Sequence, residues 1–149
     1  STASEYYGKT IESTDDNVLK MKALEKGART AIAMGQGQKA KSLATKMLAI
    51  NANSGDAYII IGDAYIAGKS DCGGNDCSAR AVYWAAVDKY TRAKSVDPSV
   101  SEEAQKKINI YSEQFPKKED CFFHGMNEGT TFKFDCWIGE STTVRTRSN

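Results

Sequence analysis

Two stretches of this chain read as the same helical hairpin written twice, and that recurrence limits the fold more than any other feature. In the clearer copy Tyr58, Ile61 and Tyr65 fall three and four residues apart, one stripe of a helix, with Gly62 beside it. Ala86, Tyr90 and Ala93 repeat the spacing on a second helix, which ends at Val96-Asp97-Pro98 because proline cannot continue the hydrogen-bond ladder. One period upstream, Ala28 stands 34 residues before Gly62, and Ile50-Asn51-Ala52 closes the earlier copy as Val96-Asp97-Pro98 closes the later one. Small residues at Gly62 and Ala86 let the two helices approach closely, while Tyr58, Tyr65 and Tyr90 fill the space around the crossing. A mid-helix glycine costs about 1 kcal/mol relative to alanine, so packing is the better reason for Gly62. At 149 residues the chain suits one compact domain or a few stacked repeats sharing a continuous core.

The first copy, 18–54, has Leu24, Ala31 and Ala44 where the second has aromatics. Its helices meet at Met34-Gly35-Gln36-Gly37, where glycine supplies the positive φ of a tight helix exit, and the second helix is expected from Ala40. The second copy, 55–98, is stretched: Gly62 to Ala86 spans 24 residues, against 12 from Ala28 to Ala40. The surplus comprises a loop from Gly68 to Cys77 and further helical turns ahead of Trp84. A capping helix is expected over 99–115, with Ser99 and Glu102 as a capping box, an inner stripe of Ala104, Ile108, Tyr111 and Phe115, and Pro116 as its stop. Its polar face, with Glu102, Glu103, Gln105, Lys106 and Asn109, is suited to water. At the other end 1–17, carrying Ala3, Tyr7 and Thr10, reads as the second helix of an earlier, partial repeat.

From 117 to 149 the pattern becomes alternation: Phe132, Phe134, Cys136 and Ile138 face one way, Lys133, Asp135 and Trp137 the other. A turn at Gly139-Glu140-Ser141 and the β-branched run Thr142 to Arg147 complete a hairpin, with Phe122 and Phe123 expected as a third short strand. A lone hairpin is marginal in water, so the tail is expected to pack on the last helices.

The aromatic before Ile61-Gly62, then Tyr65, Ala86, Tyr90, Ala93 and Pro98, resembles the tetratricopeptide repeat (TPR) family; the second copy matches throughout and the first is legible beside it. The resemblance implies a mainly α fold of antiparallel helical hairpins in a right-handed solenoid, closed here by the capping helix and a small β-hairpin, and looks like the C-terminal segment of a bacterial cell-envelope TPR protein. In that family the first helices of successive hairpins line a concave groove that takes an extended peptide or a partner helix. Carried over, the groove positions are Lys22, Glu25, Arg29 and Ile32 in the first repeat, Asp56, Ile59, Asp63 and Ile66 in the second, and Glu102, Gln105 and Asn109 on the cap. They are mixed in charge and lack the lysine and asparagine pairs of the family's carboxylate clamp, so recognition of a chaperone tail is not implied and a protein or peptide of another kind is.

Twenty Lys plus Arg against nineteen Asp plus Glu give a formal charge of +1, which excludes a field that would gather nucleic acid or an anionic membrane. The longest apolar run, 57–67, contains Gly62 and Asp63 and is too short to span a bilayer, so no membrane insertion is expected. The sequence opens Ser1-Thr2-Ala3-Ser4-Glu5 with no initiator Met and no basic or apolar leader, so any signal peptide is expected to have been removed or to lie outside it.

Cys72, Cys77, Cys121 and Cys136 form an even set in separated pairs, which suits two disulfides in an oxidising compartment and an extracytoplasmic, periplasmic or envelope-associated protein. Cys72–Cys77 with Cys121–Cys136 would close short loops; Cys72–Cys136 with Cys77–Cys121 would staple the tail to the inserted loop. The spacing leaves both open, and the likeness of Cys136-Trp137-Ile138 to TPR tails leans toward the second. C-x4-C followed 43 residues later by C-x14-C lacks the tight spacing of structural zinc sites, and no metal or cofactor is expected.

The stretch Gly35 to Ser42 lacks the spacing of a phosphate-binding loop and reads as an interhelical turn. The adjacent pairs Asp15-Asp16 and Glu102-Glu103 sit near helix starts, where they suit the helix dipole. His124, the single histidine, is the one imidazole available to a nucleophile such as Cys121. Tyr83, Trp84 and Trp137 suit either exposed anchors or core packing, and Arg145 and Arg147 are expected to be solvated. No catalytic constellation emerges, and the reading is a non-catalytic scaffold that binds a partner protein or peptide. Two alternatives stand beside it: a structural cap ending a longer solenoid, and a cysteine-dependent enzyme using Cys121 and His124.

Overall fold

The computed structural model describes residues 16–147. The partial repeat expected over 1–17 falls, but for its last two residues, outside them. Within the described residues the protein is mainly helical, with six α-helices and a two-stranded antiparallel sheet near the C-terminus.

Helix α1 (Asn17–Ala33) starts where the Asp16 carboxylate accepts hydrogen bonds from the N–H groups of Val18 and Leu19 at 2.8 and 3.3 Å, satisfying two of the donors every helix start leaves open. It exits through Gly35 at φ 73° into α2 (Gly37–Ile50), which begins three residues before the expected Ala40. Helix α3 (Gly55–Ala67) is capped by the Ser54 hydroxyl, which accepts from the Ala57 N–H. The insertion follows as a loop with two short 3-10 turns, Lys69–Asp71 and Ser78–Arg80, and α4 (Ala81–Val96) resumes three residues ahead of Trp84.

A further 3-10 turn, Pro98–Val100, leads into α5 (Ser101–Ser112), which is shorter than the 99–115 expected. The capping box expected between Ser99 and Glu102 does not form. Asp97 takes that role instead, accepting from the Ser99 N–H and hydroxyl and, at 3.1 Å, from the N–H of Gly55 at the head of α3. One carboxylate therefore ties the end of one hairpin helix to the start of the other. The hydrogen bond from Ser99 leads the causes that hold its pKa below the usual carboxylate range.

Consecutive helices pack against one another from α1 to α5, and α1 also touches α3. The core takes in the repeat positions Leu24, Ala28 and Ala31 on α1, Ala40 and Ala44 on α2, Ile61 and Tyr65 on α3, and Ala86, Tyr90 and Ala93 on α4, and adds Met47, Ala64 and Trp84. A Cβ added at Gly62 would stand 2.6 Å from the buried Tyr90 ring and 3.1 Å from the Ala86 carbonyl, so that position admits only glycine without movement.

The tail departs from its expectation in form. Phe122 and Phe123 are not strand residues; they end a short helix, α6 (Lys118–Phe123), and are 78% and 82% exposed. The sheet is confined to β1 (Thr131–Lys133) and β2 (Ser141–Thr143), with Phe132 opposite Thr142. Beyond a last backbone bond from the Phe134 N–H to the Glu140 carbonyl, residues 135–139 form a loop that lies against the helices. The alternation persists there as burial, with Phe134 and Ile138 inside and Asp135 outside.

That loop reaches farther than the last helices. Trp137 lies over Gly37 and Gly68 and donates to the Gly68 carbonyl at 3.2 Å; a Cβ on Gly68 would come within 2.6 Å of the indole. The Lys41 ammonium of α2 donates to the Ile138 carbonyl at 2.8 Å and sits 4.9 Å from the centre of the Tyr65 ring. Glu140 accepts from Tyr65 and, at 2.7 Å, from Lys89 of α4. Burial pushes the Glu140 carboxyl up, but the bonds from Lys89 and Tyr65 and the charges of Lys89 and Lys41 outweigh it and hold the pKa below the usual range. Burial, followed by the Glu140 contact, raises the Tyr65 hydroxyl well above the usual phenol range.

Arg145, expected to be solvated, instead clamps β2 to α4. Its guanidinium donates to Asp88 at 2.8 Å, to the Trp84 carbonyl at 3.1 Å and to Thr142, while the Trp84 indole N–H returns a 2.7 Å bond to the Arg145 carbonyl. Trp84 is fully buried and Tyr83 nearly so, which places both in the core. The tail thus spreads across the second helices of both hairpins, α2 and α4.

Candidate functional site

Ile32 from α1, Asp63, Ile66 and Ala67 from α3, and Lys107 and Tyr111 from α5 line one depression of about 300 Å³. Three elements far apart in sequence contribute to it because each presents its outer flank on the same side once α1 packs on α3 and α5 packs on α4. Its floor is mostly apolar, and its polar content is one ion pair, Lys107 to Asp63 at 3.1 Å.

Asp63 also accepts from the Tyr90 hydroxyl, so one carboxylate holds a lysine at the rim and a tyrosine in the core. Burial first, then the Asp63 charge and hydrogen bond, raise the Tyr90 hydroxyl above the usual phenol range, which keeps it a donor at any physiological pH. Tyr111 stacks between two rings of α4, with centroids 5.9 Å from Tyr90 and 6.1 Å from Tyr83. The aromatic wall of the depression is therefore fixed by core packing.

Of the positions expected to face a groove, the structure brings together Ile32, Asp63 and Ile66. Glu25 and Arg29 pair with each other along α1 at 3.5 Å, and Lys22 is exposed on the same helix without lining the depression. Asp56 lies in the first turn of α3, half-buried, away from it. Ile59 must be corrected: it is fully buried in a cluster with Ala86, Tyr90, Ala93, Val100 and Ala104, and no partner can reach it.

The cap positions do not line this depression. Glu102 and Asn109 are exposed and Gln105 half-buried, and Gln105 bonds to Lys94 and Asn109 on the flank of α5 that faces away from the depression. Lys107 and Tyr111 occupy the flank that faces it. Both stand at the boundary between the polar and apolar faces of α5, which helical periodicity does not mark as a binding face.

Cys72 and Cys136 stand at disulfide distance with Cα atoms 5.2 Å apart, as do Cys77 and Cys121 with Cα atoms 4.8 Å apart. This is the pairing that joins the inserted loop to the tail, not the one that closes two short loops. With its sulfur on Cys77, Cys121 offers no thiolate, and His124 is exposed with its ring edge-on to Phe123, so the Cys121 and His124 pairing considered for an enzyme is not assembled. Among the described residues no group of His, Cys, Asp or Glu is arranged to hold a metal ion, and no helix is long and apolar enough to cross a membrane. No protein-family model, no curated protein and no solved structure matches this chain.

Proposed function

We propose that this protein is a non-catalytic scaffold of TPR type whose first-helix side holds a segment of a partner protein. The observation that carries this reading is the depression shared by α1, α3 and α5: it is apolar-floored and rimmed by one salt bridge and a stacked tyrosine. A short extended peptide or one helix face would bury apolar surface there and meet polar groups at the rim, the division of labour common to peptide grooves. The 34-residue offset of the two hairpins and the contact of α1 with α3 support the solenoid arrangement. Two cysteine pairs at disulfide distance support an extracytoplasmic, cell-envelope setting.

The test is affinity capture from envelope extracts with the unaltered protein and with Ile66→Glu and Lys107→Glu variants. Both positions are half-buried, with Ile66 packed against the core and Lys107 paired with Asp63, so capture is compared only for variants that circular dichroism shows to be folded. Loss of the same captured protein in both supports the reading; undiminished capture by folded variants overturns it.

A second reading, a structural cap of a longer solenoid, draws on Val18 and Leu19, which are 63% and 52% exposed at the start of α1. A packed neighbour there would cover them. Leu19→Gln abolishing assembly with such a neighbour, with capture through the depression intact, would favour it.

A further inference from the structure

A second depression, of about 440 Å³, opens where the insertion meets α4 and the end of α5, lined in part by Lys69, Ser70, Arg80, Tyr83 and Gln114. It adjoins the first through a pair of stacked rings, since Tyr83 lines one and Tyr111 the other. Its two cations are held in place by neutral groups. The Lys69 ammonium donates to the Tyr83 hydroxyl at 3.0 Å and lies 5.5 Å from that ring's centre, and Arg80 donates through Nη1 to the carbonyl and side-chain oxygen of Gln114.

Neither cation forms a salt bridge among the described residues. Asp71, the acidic residue nearest Lys69 in sequence, lines a different depression beside Gly35 and Lys39. No carboxylate lines this one. Arg80 keeps Nη2 and Nε unengaged among the described residues, one edge of a planar fork suited to accepting a carboxylate in two parallel bonds.

Resting on the scaffold reading above, we infer that the insertion turns the plain groove into one with a polarity: an apolar stretch of the partner lies along Ile32, Ile66 and Tyr111, and an Asp or Glu side chain beyond it is received by Lys69 and Arg80. The ligand class is an acidic-ended extended peptide. Net charge on the whole chain is too small to predict this, because the preference arises from two cations left unpaired at one place.

A random dodecapeptide library displayed on phage, panned on the complete chain, tests it. Enriched sequences should carry an acidic residue at a fixed offset from an apolar pair. The best of them, synthesised and titrated by fluorescence anisotropy, should bind Lys69→Gln/Arg80→Gln about tenfold more weakly, with an equal loss when its acidic residue becomes the amide. The two losses should not add, since each removes the same contact.

Enrichment that depends on Ile66 but shows neither an acidic residue nor sensitivity to the Lys69 and Arg80 changes would overturn this inference and leave the scaffold reading standing. Enrichment indifferent to Ile66→Glu, or no enrichment, would count against both. A peptide bound only when phosphoserine replaces its acidic residue would overturn the carboxylate assignment.

Discussion

Tyr90 and Gly62 are where a single side chain decides how closely two helices approach. The tyrosine ring fills the space that the absent Cβ leaves, and its hydroxyl is anchored on Asp63. Gly62→Ala should gain about 1 kcal/mol in helix propensity but lose ~2–3 kcal/mol, the upper part of the usual overpacking range, against a ring 2.6 Å from the added Cβ, for a net destabilisation of about 1–2 kcal/mol in urea unfolding. A neutral or stabilising result would mean that the ring has room the packing denies. This position was legible in the sequence, because a glycine inside a helical stripe needs a reason and packing was the available one. Ile59 was not. Helix α3 buries Ile59, Ile60 and Ile61 in succession and is apolar nearly all round, so periodicity could not say which side faced outward.

Among the elements, the junction at Asp97 holds the second hairpin together. Asp97→Ala would leave the N–H groups of Gly55 and Ser99 without their acceptor and should cost about 1 kcal/mol, the usual size of a lost helix cap, with Asp97→Asn recovering part of it. Chemical denaturation of the three proteins reads this directly, and equal midpoints would dismiss the junction. Sequence reasoning put the cap two residues later, at Ser99, because it assumed an α-helix there; the 3-10 turn Pro98–Val100 moves the start to Ser101. The helices of the two hairpins, the glycine turn and the stop before Pro98 follow from local chemistry, although α2 starts three residues earlier than expected, α5 is shorter, and α6 stands where a strand was expected. The tail was read less well: alternation from Phe132 to Ile138 marks which side is buried whether or not a ladder forms, and only three residues on each side pair.

Across the whole molecule, the tail and the insertion determine which surface stays open. Glu140 and Asp97 both have lowered pKa values, so each contributes stability that is complete above the ordinary carboxylate range, near pH 4, and is lost as pH falls through its folded-state value. Acid should therefore weaken both the hold of the tail on α2 and α4 and the junction at Asp97. In Glu140→Gln the fluorescence of Trp137 should change less between pH 5 and pH 2 than in the unaltered protein; an unchanged profile would remove Glu140 from this role.

The two cysteine links act in the same direction. Each closes a long stretch of chain, with sequence separations of 64 and 44, and replacing either pair by serine should lower stability by about 2–4 kcal/mol. No reading of the spacing could choose between pairings, because that depends on where the tail folds back.

We propose that the tail, stapled over the second helices through the inserted loop, leaves the first-helix side as the face for a partner. Peptide mapping of the unreduced protein tests it most directly. The account predicts cross-linked peptides joining Cys72 to Cys136 and Cys77 to Cys121; peptides joining Cys72 to Cys77 and Cys121 to Cys136 would contradict it.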